Sequence, residues 1–140
     1  MAEKTLVVTL HRIGPAAFEA ASESGASLIV DGDPSIGGQD RGMRPMEALL
    51  AAIASCASMD VVAILTKQKE PLADLEVRVT GTRVDATPAP YRRIELAFIA
   101  HGGVDPHKLS RAVTLSVEKY CSVAESLDPA IEIAHSAQAI

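Results

Sequence analysis

An α+β fold is predicted by three features of the chain. Alternating apolar and polar runs come in groups, a long apolar stretch beginning near 45 reads as one buried helix, and a second, amphipathic helix begins after 105. The order is strands, long helix, two strands, helix, strand. Helices and strands are segregated rather than strictly alternating, which fits α+β better than a parallel α/β sheet.

The elements follow in order. Residues 5–11 alternate, with Leu6, Val8 and Leu10 on one face, and form the first strand. Residues 18–21 and 27–30 are shorter strands around a turn at Ser24-Gly25. The segment 31–42 is rich in Gly, Asp, Pro and Ser and reads as loop throughout. Pro45 suits the first turn of a helix, with Glu47 near the positive end of its dipole. That helix runs to about 69 and is stopped by Pro71. Its first half is apolar on all sides, which predicts a central position.

Residues 74–84 alternate again, with Leu75, Val77 and Val79 opposed to Glu76, Arg78 and Thr80. After the Pro88-Ala89-Pro90 loop, Ile94, Leu96 and Phe98 share a face of the run 91–100, and the two runs predict a long β-hairpin. Asp105 and Pro106 form an N-cap and first-turn pair. Leu109, Ala112, Val113 and Ser116 mark the buried side of this second helix. A short turn at 122–127 and a last strand at 131–135, after Asp128-Pro129, complete the chain.

One domain over residues 1–140 is expected from the length. Hydrophobic content of 48% with 22% charged residues excludes a disordered chain. Only 3% of residues are aromatic and none is Trp, so the core must be aliphatic and alanine-rich. Such helices pack closely on another helix, including one from a second subunit. A net charge of −5 without a basic run argues against a nucleic-acid surface. The N-terminus lacks a signal-peptide pattern. Residues 48–65 come nearest to a membrane span, but Asp60 interrupts them short of the roughly 20 residues a bilayer needs. The expectation is a cytoplasmic protein without membrane or nucleic-acid partners. The four histidines show no ligand spacing and no phosphate-binding loop is present, so neither a metal nor a cofactor is expected.

Two cysteines carry the chemical interest. Cys56 lies within the apolar helix and Cys121 at the far end of the amphipathic one, 65 positions away. In a cytoplasmic setting such a pair is catalytic, sensing or inert rather than a permanent staple. A buried cysteine on an alanine-rich helix is ordinarily a small hydrophobe. Glu118 and Lys119 read most simply as solvent-facing, with the lining of a pocket mouth as the alternative, and Asp60 either marks where the helix surfaces or holds an arginine.

The combination of Pro45-Met46-Glu47, Cys56 and Met59-Asp60-Val61-Val62-Ala63-Ile64-Leu65 with Leu115-Ser116-Val117-Glu118-Lys119-Tyr120-Cys121-Ser122-Val123 resembles the OsmC/Ohr family of thiol-dependent hydroperoxide reductases and their relatives. The likeness covers nearly the whole chain, because the order of elements matches too. It implies an intertwined homodimer, with long central helices wrapped by antiparallel six-stranded β-sheets and active sites at the subunit interface. It further implies an organic hydroperoxide as substrate, an external dithiol as reductant, Cys56 as peroxidatic thiol and Cys121 as resolving thiol. The thiolate-stabilising arginine of the family comes from the loop after the first strand, where this chain offers Arg12. Arg41 and Arg44 are rivals near the helix start.

The sequence departs from the family at one place. Peroxidase branches carry a glutamate directly after the helix-starting proline, to hold the arginine against the thiolate. Here that position is Met46 and the glutamate is Glu47. At about 100° per residue, the tenth position before Cys56 lies about 80° from it around the helix and the ninth about 180° away. Glu47 is therefore directed to another face. This departure keeps an alternative open, in which the scaffold senses oxidants or binds a small apolar ligand without efficient turnover.

Overall fold

The computed structural model describes residues 2–140. Two compact units are resolved, one running to Leu49 and one comprising Leu50–Ile140.

The first unit is built on a three-stranded antiparallel sheet of β1 (Val8–Arg12), β2 (Phe18–Ser22) and β3 (Ser27–Val30). The first strand begins at Val8 rather than at residue 5, where pairing with Ser22 starts. Gly25 makes the β2–β3 turn, with φ of 91° and its N–H donating to the Ser22 carbonyl at 3.0 Å. Only glycine takes that backbone without strain. The segment after β3 is a folded loop ordered around Asp31. That carboxylate is 2% exposed and accepts backbone N–H groups from Gly32 at 2.8 Å, Gln39 at 2.9 Å and Arg41 at 3.2 Å. Gln39 foremost, then the other donors and the Arg44 charge, hold the carboxyl below the usual aspartate range against the cost of burial.

Helix α1 (Pro45–Lys67) starts at the predicted proline but ends two residues earlier than Pro71 implied. Lys69 takes a left-handed conformation (φ 56°), the Glu70 N–H returns to the Leu65 carbonyl at 2.9 Å, and the Lys69 N–H bonds the Thr66 carbonyl. This is a Schellman closure with lysine in the place usually held by glycine. Ile53, Ala57, Val61 and Leu65, four apart, with Ala54, form one buried stripe, while Met59 is 71% exposed. By length and composition alone α1 could cross a membrane, a test that core helices also pass, and 28% of its most apolar stretch is buried.

In the second unit, β4 (Asp74–Arg83) and β5 (Tyr91–His101) form the predicted long hairpin. Ile94, Leu96, Phe98 and Ala100 are all buried on one face of β5. Gly81 lets α1 approach, since a methyl group there would collide with the Tyr91 ring and lie 3.0 Å from the Leu50 side chain. Helix α2 (Pro106–Leu115) is capped by Asp105, whose carboxylate accepts from His107 and Lys108 N–H groups. Leu109, Ala112, Val113 and Ser116 are fully buried, as the helical spacing predicts. Each large apolar side chain so placed contributes about 1.5–3 kcal/mol.

Strand β6 (Glu132–Ala139) extends farther than the predicted 131–135 and pairs parallel to β5, Ile94 opposite Ile133 and Phe98 opposite Ala137. The second sheet, ordered β4-β5-β6, is therefore mixed, which corrects the expectation of wholly antiparallel sheets. The parallel partner follows from α2, whose crossover returns the chain to the same end of the sheet.

Candidate functional site: the Cys56–Cys121 thiol pair

The approach of Cys121 to Cys56 depends on an irregular helix. After α2, residues Ser116–Tyr120 widen into a π-helical turn, and Cys121 then leaves the helical region (φ −72°, ψ 105°) to cap the short helix α3 (Ser122–Glu125). Single π turns recur at functional sites because they redirect one side chain. The cost is visible nearby: Ser116 Oγ is buried without a hydrogen-bond partner among the described residues. Cys56 sits half-buried on α1, between the buried Ile53 and Ala57.

The fold brings the two thiols together. Both are free, and Cys56 is a near neighbour that acts on the Cys121 thiol. Cys121 is 4% exposed; its Sγ accepts the Ala124 N–H at 3.4 Å and has the Ile53 carbonyl at 3.9 Å as an acceptor. Its one proton is directed at the Ile53 oxygen. Burial pushes the Cys121 thiol above its ordinary value, and the neighbouring Cys56 adds to this, while the Ala124 and Val123 N–H groups oppose it. Backbone donors that lower this thiol's pKa are present, but burial outweighs them. Cys121 is a protonated donor at neutral pH.

The charged candidates all belong to the first unit, where each has a local partner. Arg12 donates through Nε and Nη2 to the Pro15 carbonyl at 3.3 and 3.0 Å. Arg44 pairs with Asp40 at 3.3 Å, and Arg41 donates to the Ile13 carbonyl at 2.8 Å. Glu47 accepts the backbone N–H of Arg44 at 2.9 Å. That is the returning half of a capping box, a glutamate at the third helical position closing on the residue before Pro45. Its carboxylate is occupied with starting α1.

Two cavities adjoin the thiol segment. One, of about 220 Å³, is lined by Val117, Glu118, Lys119, Cys121, Ala124, Glu125 and Ile133. Glu118 and Lys119 thus line a cavity together with Cys121, the pocket-mouth alternative of their reading. Glu118 is held by His135 Nε2 at 2.7 Å across the β6 side. The other, of about 380 Å³, lies among Asp60, Ala63, Ile64, Lys67 and Tyr120. Sequence reasoning missed His135 and Glu125. No local pattern marks them, because they reach the site through β6 and through the turn after Cys121.

The chain is similar to known proteins. A family model described as OsmC-like protein matches residues 37–136, which include both cysteines. Protein YhfA of Escherichia coli (strain K12) is 38% identical over 124 residues, covering 88% of this chain and 90% of its own. The chain belongs to the OsmC-like family. Among solved structures, a hypothetical protein from Aquifex aeolicus VF5 is 30% identical, with a TM-score of 0.82 over 99% of both chains. An organic hydroperoxide resistance protein OsmC from Legionella pneumophila shares the fold, with a TM-score of 0.68 at 16% identity over 99% of both chains. The α+β architecture is that of OsmC-like structures.

Proposed function

We propose that this chain is a thiol-dependent peroxidase that reduces organic hydroperoxides in the cytoplasm. It would act as a homodimer of one OsmC-like domain spanning 1–140. The observation that carries this reading is the meeting of Cys56 and Cys121 across 65 positions of sequence, on an element built to redirect the second thiol. Fold relatives named for organic hydroperoxide resistance support the substrate class.

The chemistry runs in three steps. The Cys56 thiolate attacks one peroxide oxygen, the O–O bond breaks, and the departing alkoxide takes a proton to leave as alcohol. Cys56 is then a sulfenic acid. Cys121 attacks that sulfur, giving the Cys56–Cys121 disulfide and water. An external dithiol then exchanges with the disulfide, restoring both thiols and becoming a disulfide itself. Arg12 or Arg44 would stabilise the thiolate, since a guanidinium stays charged and binds sulfur and peroxide oxygen together.

The homodimer draws support from the uncovered apolar surface: Met59 and Val62 on α1, and Val8, Leu10 and Leu28 on the first sheet. A second reading is favoured by Glu47. With that carboxylate spent on the helix start and Met46 in the preceding place, a redox sensor or apolar-ligand protein on the same scaffold would keep the thiol pair and lose rapid turnover.

Treating the reduced protein with one equivalent of cumene hydroperoxide and mapping disulfides by mass spectrometry separates these readings. The peroxidase gives a rapid Cys56–Cys121 bond, absent in Cys56→Ser, and repeated turnover with a dithiol. A bond without turnover supports the sensor. Neither a bond nor oxidation localised to Cys56 would sink both.

A further inference from the structure

We propose that Glu70 is a positioning residue for the thiol pair: from just past the end of α1 it supplies the carboxylate that completes the cap of α2, and this latch fixes where Cys121 meets Cys56. The role rests on the reading of the two cysteines as a redox pair.

Helix α2 carries only half a capping box. Asp105 at its N-cap accepts the His107 and Lys108 N–H groups at 2.9 and 3.1 Å. A complete box has a glutamate or glutamine at the third helical position, reaching back to the N–H of the cap residue. In α2 that position holds Lys108. The Asp105 N–H donates instead to Glu70 Oε1 at 2.8 Å, across 35 positions of sequence, and Lys108 Nζ pairs with Glu70 Oε2 at 3.4 Å. Glu47 serves the helix it starts, whereas Glu70 follows one helix and serves another. The Glu70 side chain is 12% exposed. Its N–H returns to the Leu65 carbonyl at 2.9 Å, and its own carbonyl accepts the Leu72 N–H at 2.9 Å. The carboxylate is thus carried on a closed turn.

Without this latch, packing alone would place α2. Strand β5 passes to it through Gly102 and Gly103, at φ of 120° and 90°, and glycine by itself imposes no direction on such a joint. Burial of Leu109, Ala112 and Val113 presses α2 into the core, but that force is non-directional. The bonds to Glu70 are directional. At the far end, Cys121 Sγ lies 3.9 Å from the Ile53 carbonyl. Ile53 stands fourteen residues before the end of α1 and Tyr120 fourteen after the start of α2, about 20 Å in each case. Latch and thiols therefore sit at opposite ends of the same two elements. A swing of about 5° at the latch moves the far end by about 1.7 Å. The Cβ–Cβ window of a disulfide is only about 1 Å wide.

The equilibrium of the two thiols with dithiothreitol reads this placement directly. Oxidised dithiothreitol, a cyclic disulfide, takes two electrons and two protons from Cys56 and Cys121, which join as a disulfide while the reagent becomes a dithiol. Acid quench and mass spectrometry across reagent ratios give the equilibrium constant. Glu70→Ala is expected to lower it about tenfold. Glu70→Asp keeps the charge but withdraws it by one methylene, and is expected to match Glu70→Ala. Glu70→Gln keeps an acceptor oxygen for the Asp105 N–H. It is expected to stay within about threefold of the wild type, since an exposed ion pair such as that with Lys108 adds little. Asp105→Ala removes the cap of α2 but leaves its own N–H on Glu70, so it loses stability in urea without moving the constant. An unchanged constant in Glu70→Ala and Glu70→Asp, no rescue by Glu70→Gln, or an equal fall in Asp105→Ala would overturn the latch and leave the redox pair standing. Failure of the wild-type chain to form the Cys56–Cys121 bond at any ratio sinks the redox-pair reading and the latch together.

Discussion

The unit ending at Leu49 and the unit Leu50–Ile140 place their side chains by different means. In the second, Ile53, Leu65, Ile94, Leu96, Phe98, Leu109 and Val113 are fully buried, and the thiols are set by close packing. In the first, Ala17 and Asp31 are the buried side chains among the described residues, while Leu6, Val8, Leu10 and Leu28 stand more than half exposed. Its order comes from strand pairing, from the Asp31 carboxylate and from the cap at Glu47. A region with so little core of its own gains most from a second copy, and the residues expected to activate Cys56 all lie in it. The thiol pair is thus complete within one chain, whereas its proposed electrostatic support rests on the region most in need of a partner.

The largest effect that would sharpen this contrast is chemical. Cys56→Ser lowers hydroperoxide turnover at least about a thousandfold, because no other group is a comparable nucleophile. Cys121→Ser leaves a single oxidation of Cys56 but no dithiol-supported cycle. A stopped-flow assay distinguishes the two.

Assembly gives the next effect. Leu10→Asp or Met59→Asp removes about 1.5–3 kcal/mol of apolar burial per copy, counted twice in a twofold interface. Light scattering is expected to show a dimer for the wild type and monomer for each variant. A monomeric wild type would break the comparison.

The two units are also expected to lose stability at opposite ends of the pH scale. Asp31 has a lowered pKa in the fold, so its contribution is present above the ordinary aspartate value of about 3.9 and is lost as pH falls through the lower folded value. Cys121 has a raised pKa, so stability is full below the ordinary thiol value of about 8.5 and falls as pH climbs toward the higher folded value. Asp31→Asn flattens the acid limb and Cys121→Ser the alkaline one in urea titrations. Amide exchange at Gln39 and Arg41 also quickens in Asp31→Asn.

The smallest effect belongs to Glu47. Glu47→Ala weakens the start of α1 by roughly 0.3–1.5 kcal/mol, and Glu47→Gln restores most of it, if capping is its whole task. A fall in turnover much larger than the stability change, unrescued by Gln, would return Glu47 to the catalytic set.

Where the sequence was legible, the signal was local. Pro45, Asp105-Pro106, Ser24-Gly25 and the alternation of the β4–β5 hairpin each specify their own element within a few residues. The parallel placement of β6 was not legible, because it is decided by the α2 crossover and carries no pattern of its own. The same holds for Asp31: three backbone donors converge on it from as far as Arg41, and only the folded loop makes a glycine-rich segment into an ordered one. The cysteines could be found by motif and their meeting expected by resemblance, yet the π turn that redirects Cys121 is invisible to helical periodicity, since its five residues read as a continued helix. The Schellman closure at Lys69 escaped for a similar reason, a lysine standing where glycine is the usual signal.

That π turn makes the spacing of the thiols an arithmetic property of the chain. Ser116–Tyr120 holds one residue more than an α turn would use over the same stretch. Deleting Lys119 lets the helix close in α form over the same stretch, so the residues on either side keep their register while the widening just before Cys121 is lost. A single-codon loss thus removes the widened turn while both cysteines remain encoded.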